Sequence, residues 1–357
     1  MLSNSAFAII LTRVKIMVNV SAYRISVYLL LAVTVHPAGV HSNLGNATDI
    51  LIWCMGWLIV VKRFERMKIM PDIAIMTDSN CGILPEEGRE MGITVVPMPI
   101  QIDGKTYLEG VDITADTFYD LQAKGASVTS SQPAPGEVME MWYQLLKEHE
   151  EIVYIPMSSG LSNSCQSASI FAQEFEGRVH VVNNRRISIT QIQSVKDAMC
   201  MAEQGMSGIQ IKEILEAEAM DATIYIAVDT LEYLKKGGRV TAAGAAIGSV
   251  LNIKPVLTIQ GDKLDAYAKV RGMKTAFRTM CKALHNDVST RLKGLHDSHQ
   301  LMFGIANTAM EPEVLQHWIA QMQEEFPGEE ITHSPLMLSI GCHTGPGALG
   351  IGAYRKH

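Results

Sequence analysis

A chain of 357 residues is longer than one ordinary domain and points to about two. With 47% hydrophobic and 19% charged residues, disorder is excluded and a sizeable core can be built. The formal net charge of −7 argues against a nucleic-acid partner, which needs a basic face to meet phosphates.

Residues 1–66 differ in character from the rest of the chain. They carry six basic and two acidic residues, a charge of +4, which leaves −11 on residues 67–357. Two apolar runs stand here, Ile25–Val35 and Ile50–Val61. Each is shorter than the roughly 18–20 residues that a membrane-crossing helix needs. Three readings stay open. A signal peptide would have Ala38-Gly39-Val40 as a poor cleavage site. A membrane anchor would use Lys62, Arg63 and Arg66 beside the second run. The favoured reading is an upstream extension outside the native fold, because Met67 and Met70 stand just before the first convincing core strand.

From Asp72 the pattern is that of an α/β protein. Asp72–Thr77 is a short apolar run that passes into the polar loop Asp78-Ser79-Asn80, and Ile93–Pro97 is a second β-branched run. Pro133–His149 reads as a helix, with Pro135 near its start and Met139, Trp142, Leu145 and Leu146 at helical spacing. Ile152–Met157 reads as a buried strand, followed by the serine-rich loop Ser158–Ser164 and a helix to about Phe175. A strand at Val179–Val182, helices at Ser188–Gln204 and Ile209–Met220, and a strand at Thr223–Val228 come next. Strands alternating with helices indicate a largely parallel sheet, whose ligand sites collect in loops after the strands. Beyond Asp229 a helix-like stretch, Leu231–Arg239, leads into the small-residue segment Thr241–Ser249. Ile253–Gln260, Leu264–Lys269, Leu301–Ala306 and Leu336–Ile340 are strand candidates around helices near Met273–Leu284 and Pro312–Phe326. The expected organisation is an extension (1–66), one α/β domain (67–229) and a second α/β domain (230–357).

Three groups of residues could carry chemistry. Thr129-Ser130-Ser131-Gln132 sets hydroxyls before a helix, where capping accounts for part of them and an anion site for the rest. Ser158, Ser159, Ser162 and Ser164 follow a buried strand and outnumber the donors that one helix end requires. His343 stands in a glycine-proline turn; Cys342 beside it invites a Cys/His nucleophile, but no orienting acid is identifiable. The six cysteines form no CxxC pair and no zinc-spaced set, which suits reduced thiols in a cytoplasmic protein. No GxxxxGK[ST] phosphate loop is present, and neither metal nor cofactor is expected.

Six separated signatures in residues 70–352 together resemble the DegV family. They are Thr77-Asp78-Ser79; Ser130-Ser131-Gln132-Pro133, a version of TSQP; the loop Ser158–Ser164; Leu234–Val240; Asn252-Ile253-Lys254-Pro255; and His343–Gly350. The resemblance implies two α/β domains with one acyl chain in a tunnel between them. It implies a carrier, not an enzyme, that presents a bound fatty acid to a separate fatty-acid kinase for acyl-phosphate formation. By position, Ser130 and Ser162 would hydrogen-bond the carboxylate with His343 nearby. Thr77, Asp78, Ser79, Ser131, Gln132, Ser158 and Ser159 would line the site. Arg239 and Arg271 would lie toward the mouth, suited to kinase docking or transient membrane contact. The sequence departs from the family pattern at Ser162-Asn163-Ser164-Cys165 and at Asn183–Ile187, so the tunnel shape is open. The alternative is a serine/histidine hydrolase of a lipid-like ester, using His343 with a serine of 158–164. The absence of a GxSxG elbow weighs against it.

Overall fold

A computed structural model describes residues 8–20, 23–35, 72–245, 253–261 and 263–357. Within a first unit, Met1–Ile69, β1 (Ala8–Val20) and β2 (Tyr23–Val35) pair antiparallel, from Ala8 opposite Val35 to Val20 opposite Tyr23. The run Ile50–Val61, Asn252 and residues 246–249 of the small-residue segment lie outside the described residues, as do Met67 and Met70. Among the described residues no helix is long and apolar enough to cross a membrane.

Met70–His357 forms the second compact unit. It opens with β3 (Ile73–Asp78), buried from Ala74 onward as a central parallel strand requires. Helix α1 (Pro85–Glu90), entered through a proline, leads to β4 (Thr94–Val96), parallel to β3. β5 (Pro99–Ile102) and β6 (Lys105–Leu108) form a hairpin. Its turn residues, Asp103 and Gly104, both hold positive φ, the conformation that Asp-Gly adopts readily. After α2 (Ala115–Ala123), β7 (Val128–Ser130) pairs with β5 and completes a three-stranded antiparallel sheet. Then α3 (Pro135–Leu145), β8 (Glu151–Ile155), α4 (Ser164–Phe171) and β9 (Val179–Val181) finish a parallel sheet of order β4-β3-β8-β9.

Strand alternation decides what covers each face of that sheet. Ala74, Met76, Ile152 and Tyr154 face one core with Trp142 of α3 and Ala168 of α4. Ile75, Val153 and Ile155 face the other core, closed by α5 (Ile189–Glu203) and α6 (Gly208–Ala217) through Val195, Ala198, Ile211 and Leu215.

β10 (Ala222–Ala227) belongs to a different sheet from the one expected for it. It pairs antiparallel with β11 (Ile253–Ile259) and with the C-terminal strand. The change of sheet therefore falls before Ala222 rather than near 230. Between β10 and β11 lie α7 (Glu232–Gly237) and α8 (Ala242–Ala245). Next come β12 (Asp265–Arg271), α9 (Met273–Ser289), α10 (Lys293–Asp297), β13 (Leu301–Asn307) and α11 (Pro312–Glu325). β14 (Ile331–Pro335), α12 (Leu338–Thr344) and β15 (Leu349–Arg355) end the chain. The sheet order is β12-β11-β10-β15-β13-β14, antiparallel except between β13 and β14. Tyr225, Phe303 and Ile351 pack on α9 and α11 through Phe277, Met280 and Trp318. Ile226, Met302 and Tyr354, on the opposite face, turn inward toward the first half.

Leu336–Ile340, expected as a strand, is instead the entry to α12. The run is apolar and short, and periodicity does not separate strand from helix there. Leu338 and Cys342 of α12 pack on Ile100, Phe118 and Val128 of the small sheet and α2, so the C-terminal segment reaches across to the first half.

Candidate functional site

The second face of the six-stranded sheet, the loops after β3, β7 and β8, and helices α7 and α12 enclose a cavity. Its empty volume is about 840 Å³, a figure that includes open solvent at the mouth. Its walls are mostly branched aliphatic and methionine side chains. Ile187 and Ile189 come from the start of α5, Ile224 and Ile226 from β10, Ile259 from β11, and Met98, Met157, Leu161 and Leu336 from connecting loops. Among the described residues no Asp or Glu lines it, and Arg239 is the only charged lining side chain.

Polar groups gather where β7, α7 and α12 meet. Ser130, the last residue of β7, places Oγ 2.8 Å from Nε2 of His343 in the last turn of α12. His343 Nδ1 is buried without a partner. Gly237 at the end of α7 lies against that side of the ring: a Cβ there would fall 2.1 Å from Nδ1. Burial first, and Arg239 second, lower the imidazole from 6.5 to about 4, so it is neutral at physiological pH. We assign the proton to Nε2, donating to Ser130 Oγ. Nδ1 is then a bare lone pair that needs no acceptor, and the Ser130 hydroxyl hydrogen is free to meet an anion.

Ser131, Gln132, Ser162, Arg239 and Thr344 also belong to the polar lining. Ser162 Oγ lies 2.5 Å from Ser164 Oγ and accepts from Ser164 N, an arrangement that anchors the start of α4. Ser131 N donates to Pro99 O, and Gln132 Oε1 accepts from Ser167 Oγ. Arg239 spends Nε on Leu161 O at 3.3 Å and Nη1 on Gly237 O, which leaves further guanidinium donors.

Several residues expected to line the site stand behind it. Thr77 Oγ1 donates to Ile155 O, and Asp78 accepts from Met157 N, Asn80 and Gln191. Burial raises the Asp78 carboxyl although each of those bonds lowers it. Ser79 Oγ donates to Glu109 Oε2 at 2.6 Å. These three are wholly buried loop-fixing groups, and the adjacent Asn80 is the one that faces the cavity. Ser158 Oγ donates to Gly261 O, a tie to the second half of the unit, and Ser159 does not reach the lining. Arg271 is exposed at the far end of β12. Seven residues of strand separate it from the cavity-lining Leu264, on the order of 20 Å. The two arginines therefore do not form one mouth.

Ser188 and Ser339, together with most of the aliphatic wall, were not singled out by sequence, and Asn80 was named only as part of the loop after the first strand. Ser339 Oγ donates to Asn80 Oδ1 at 2.7 Å. Glu109 was missed as well. Its buried carboxylate accepts from Leu338 N, Ser339 N and Ser79 Oγ, so it caps α12 from the small sheet. Burial pushes the thiol of Cys342, next to His343, up to about 12, which disfavours the thiolate a nucleophile needs.

Fold and site together define a mixed α/β protein with a largely apolar cavity and one polar end. Residues 72–356 match the family model described as "Uncharacterised protein, DegV family". A DegV domain-containing protein of Caldanaerobacter subterraneus is 33% identical over 283 residues, covering 79% of this chain and 98% of that one. Among solved structures, a DegV family protein from Thermus thermophilus, described for its fatty-acid binding, has TM-score 0.70 at 30% identity; the match covers 80% of this chain and 99% of that one. DegV from Bacillus subtilis, described as a fatty acid binding protein, has TM-score 0.69 at 28% identity, over 80% of this chain and all of that one. The chain belongs to the DegV family.

Proposed function

We propose that the chain binds one long-chain fatty acid, its acyl tail along the aliphatic wall and its carboxylate on Ser130 and Ser162 beside His343. The observation that carries this reading is a neutral, half-buried Ser130–His343 pair at one end of a cavity that, among the described residues, no acidic side chain lines. A free hydroxyl hydrogen and the nearby Arg239 favour an anion there, and carboxylates of the protein would compete with it. The Thermus and Bacillus relatives, described as fatty-acid binders, support the same ligand class. Each buried methylene contributes about 0.8 kcal/mol, so a long tail supplies on the order of 10 kcal/mol before binding costs. A hydrogen bond to a charged group contributes about 1.5–3 kcal/mol. The tail sets affinity and the polar end sets orientation.

The chain then acts as a cytoplasmic carrier that hands an unaltered fatty acid to a separate kinase, with transient membrane contact during loading. The five described cysteines are free thiols, in keeping with a reducing compartment. Nothing in the site orients His343 as a hydrolytic base, because backbone at Gly237 occupies the space where a carboxylate would meet Nδ1. Mass spectrometry of lipid extracted from purified protein tests the ligand. Recovery of intact fatty acid is expected, and delipidated protein that ignores oleate and palmitate in calorimetry would end the proposal. Turnover of a lipid ester would transfer the site to the hydrolase reading.

A further inference from the structure

Ser188 stands in the cavity wall at the N-terminus of the 15-residue helix α5. It is only 3% exposed, and its hydroxyl has no hydrogen-bond partner. Its backbone holds φ +54° and ψ −132°, a conformation sparsely populated by residues with a side chain. The surroundings impose it: Ser188 N donates to Asn80 O at 2.9 Å, while Ser188 O accepts from Gln191 N and Ile192 N of α5. Ile187 and Ile189 flank it, so a methyl group would suit the wall better than an unpaired hydroxyl. Ser339, hydrogen-bonded to Asn80, belongs to the same polar spot. It precedes His343 by one turn of α12, so the spot lies about 6 Å along the helix from the carboxylate end. The positive end of α5 favours an oxygen atom there.

We infer that Ser188 is a second polar contact for the ligand, receiving a hydroxyl or oxo oxygen carried on the acyl chain a few carbons from the carboxylate. The preferred ligands then include oxygenated fatty acids. This inference rests on the fatty-acid reading above. The test is calorimetry on delipidated full-length protein with hexadecanoic acid and with monohydroxy hexadecanoic acids whose hydroxyl is moved stepwise along the chain. One positional isomer is expected to bind at least as tightly as the plain acid. Ser188→Ala then weakens that isomer roughly tenfold and leaves the plain acid within about twofold. Ser188→Gly removes the hydroxyl and relaxes the backbone, and shows the same discrimination even if the alanine variant folds poorly. If every hydroxylated isomer is weaker than the plain acid by one factor in wild type and both variants, water alone serves Ser188 and the inference is overturned. If none of the acids binds to wild type, the fatty-acid reading fails, and this inference fails with it.

Discussion

Ser130 and His343 meet across 213 residues of sequence, and their hydrogen bond is the point from which the chemistry of the cavity follows. Truncating Ser130 to alanine removes one donor to a charged ligand, so affinity for palmitate should fall roughly 10- to 100-fold. Adding Ser162→Ala should lower it further. Calorimetry on delipidated protein reads both, and unchanged affinity in the double variant would move the carboxylate elsewhere. His343 yields a second prediction, in stability. The folded state holds it at about 4, whereas in the unfolded chain it titrates near 6.5. Above pH 6.5 it is neutral in both states. As pH falls from 6.5 to 4 only the unfolded chain takes up the proton, so stability is lost, on the order of 3 kcal/mol. His343→Gln removes that term. Urea denaturation should therefore show a wild-type-minus-variant difference that is flat near pH 7 and falls as pH approaches 4. A difference independent of pH would mean a solvated ring.

Helix α7 shows how an element, rather than a residue, holds the site. Gly237 and Gly238 are neighbours with opposite reasons to be glycine. A Cβ at 237 would strike the imidazole of His343, while Gly238 needs only its φ of +68° and has nothing within 4 Å of a Cβ. Gly237→Ala should displace the ring and weaken fatty-acid binding, with an overpacking cost of about 1–3 kcal/mol. Gly238→Ala should cost about 1 kcal/mol in stability and leave binding intact. Equal binding in both variants would show that α7 does not position His343. Which elements were legible in sequence follows the same physics. β3 and β8 announced themselves as apolar runs because a parallel strand is buried on both faces. The small sheet did not: its strands have three or four residues, and those of β6 are exposed or half-buried. α12 read as a strand because its N-terminus is capped by Glu109 from a distant segment, which no local pattern reveals. Local chemistry marked the groups holding Ser130, Ser162 and His343 as candidate donors and motif resemblance joined them into one site, while Asn80 and Ser339 owe their place in the wall to contacts over 259 residues.

At the scale of the molecule, every described residue that lines the cavity lies between Asn80 and Gly350. The unit Met70–His357 carries both larger sheets, the helices that cover them and the small sheet that caps α12. A chain begun at Met67 should therefore fold alone and bind oleate with the affinity of the full chain. Ligand that binds only the folded state stabilises it by about 2.7 kcal/mol at a free concentration of 100 times Kd. Urea denaturation with and without oleate should show that increment in both forms. The forms differ in charge, since removing residues 1–66 takes away +4 and leaves −11. Any attraction to anionic vesicles that comes from those basic residues should vanish from the shorter form. Co-sedimentation with such vesicles checks this: loss of pelleting on truncation assigns membrane contact to residues 1–66. Equal pelleting removes the anchor reading and directs attention to the exposed Arg271 and to Arg239 at the cavity.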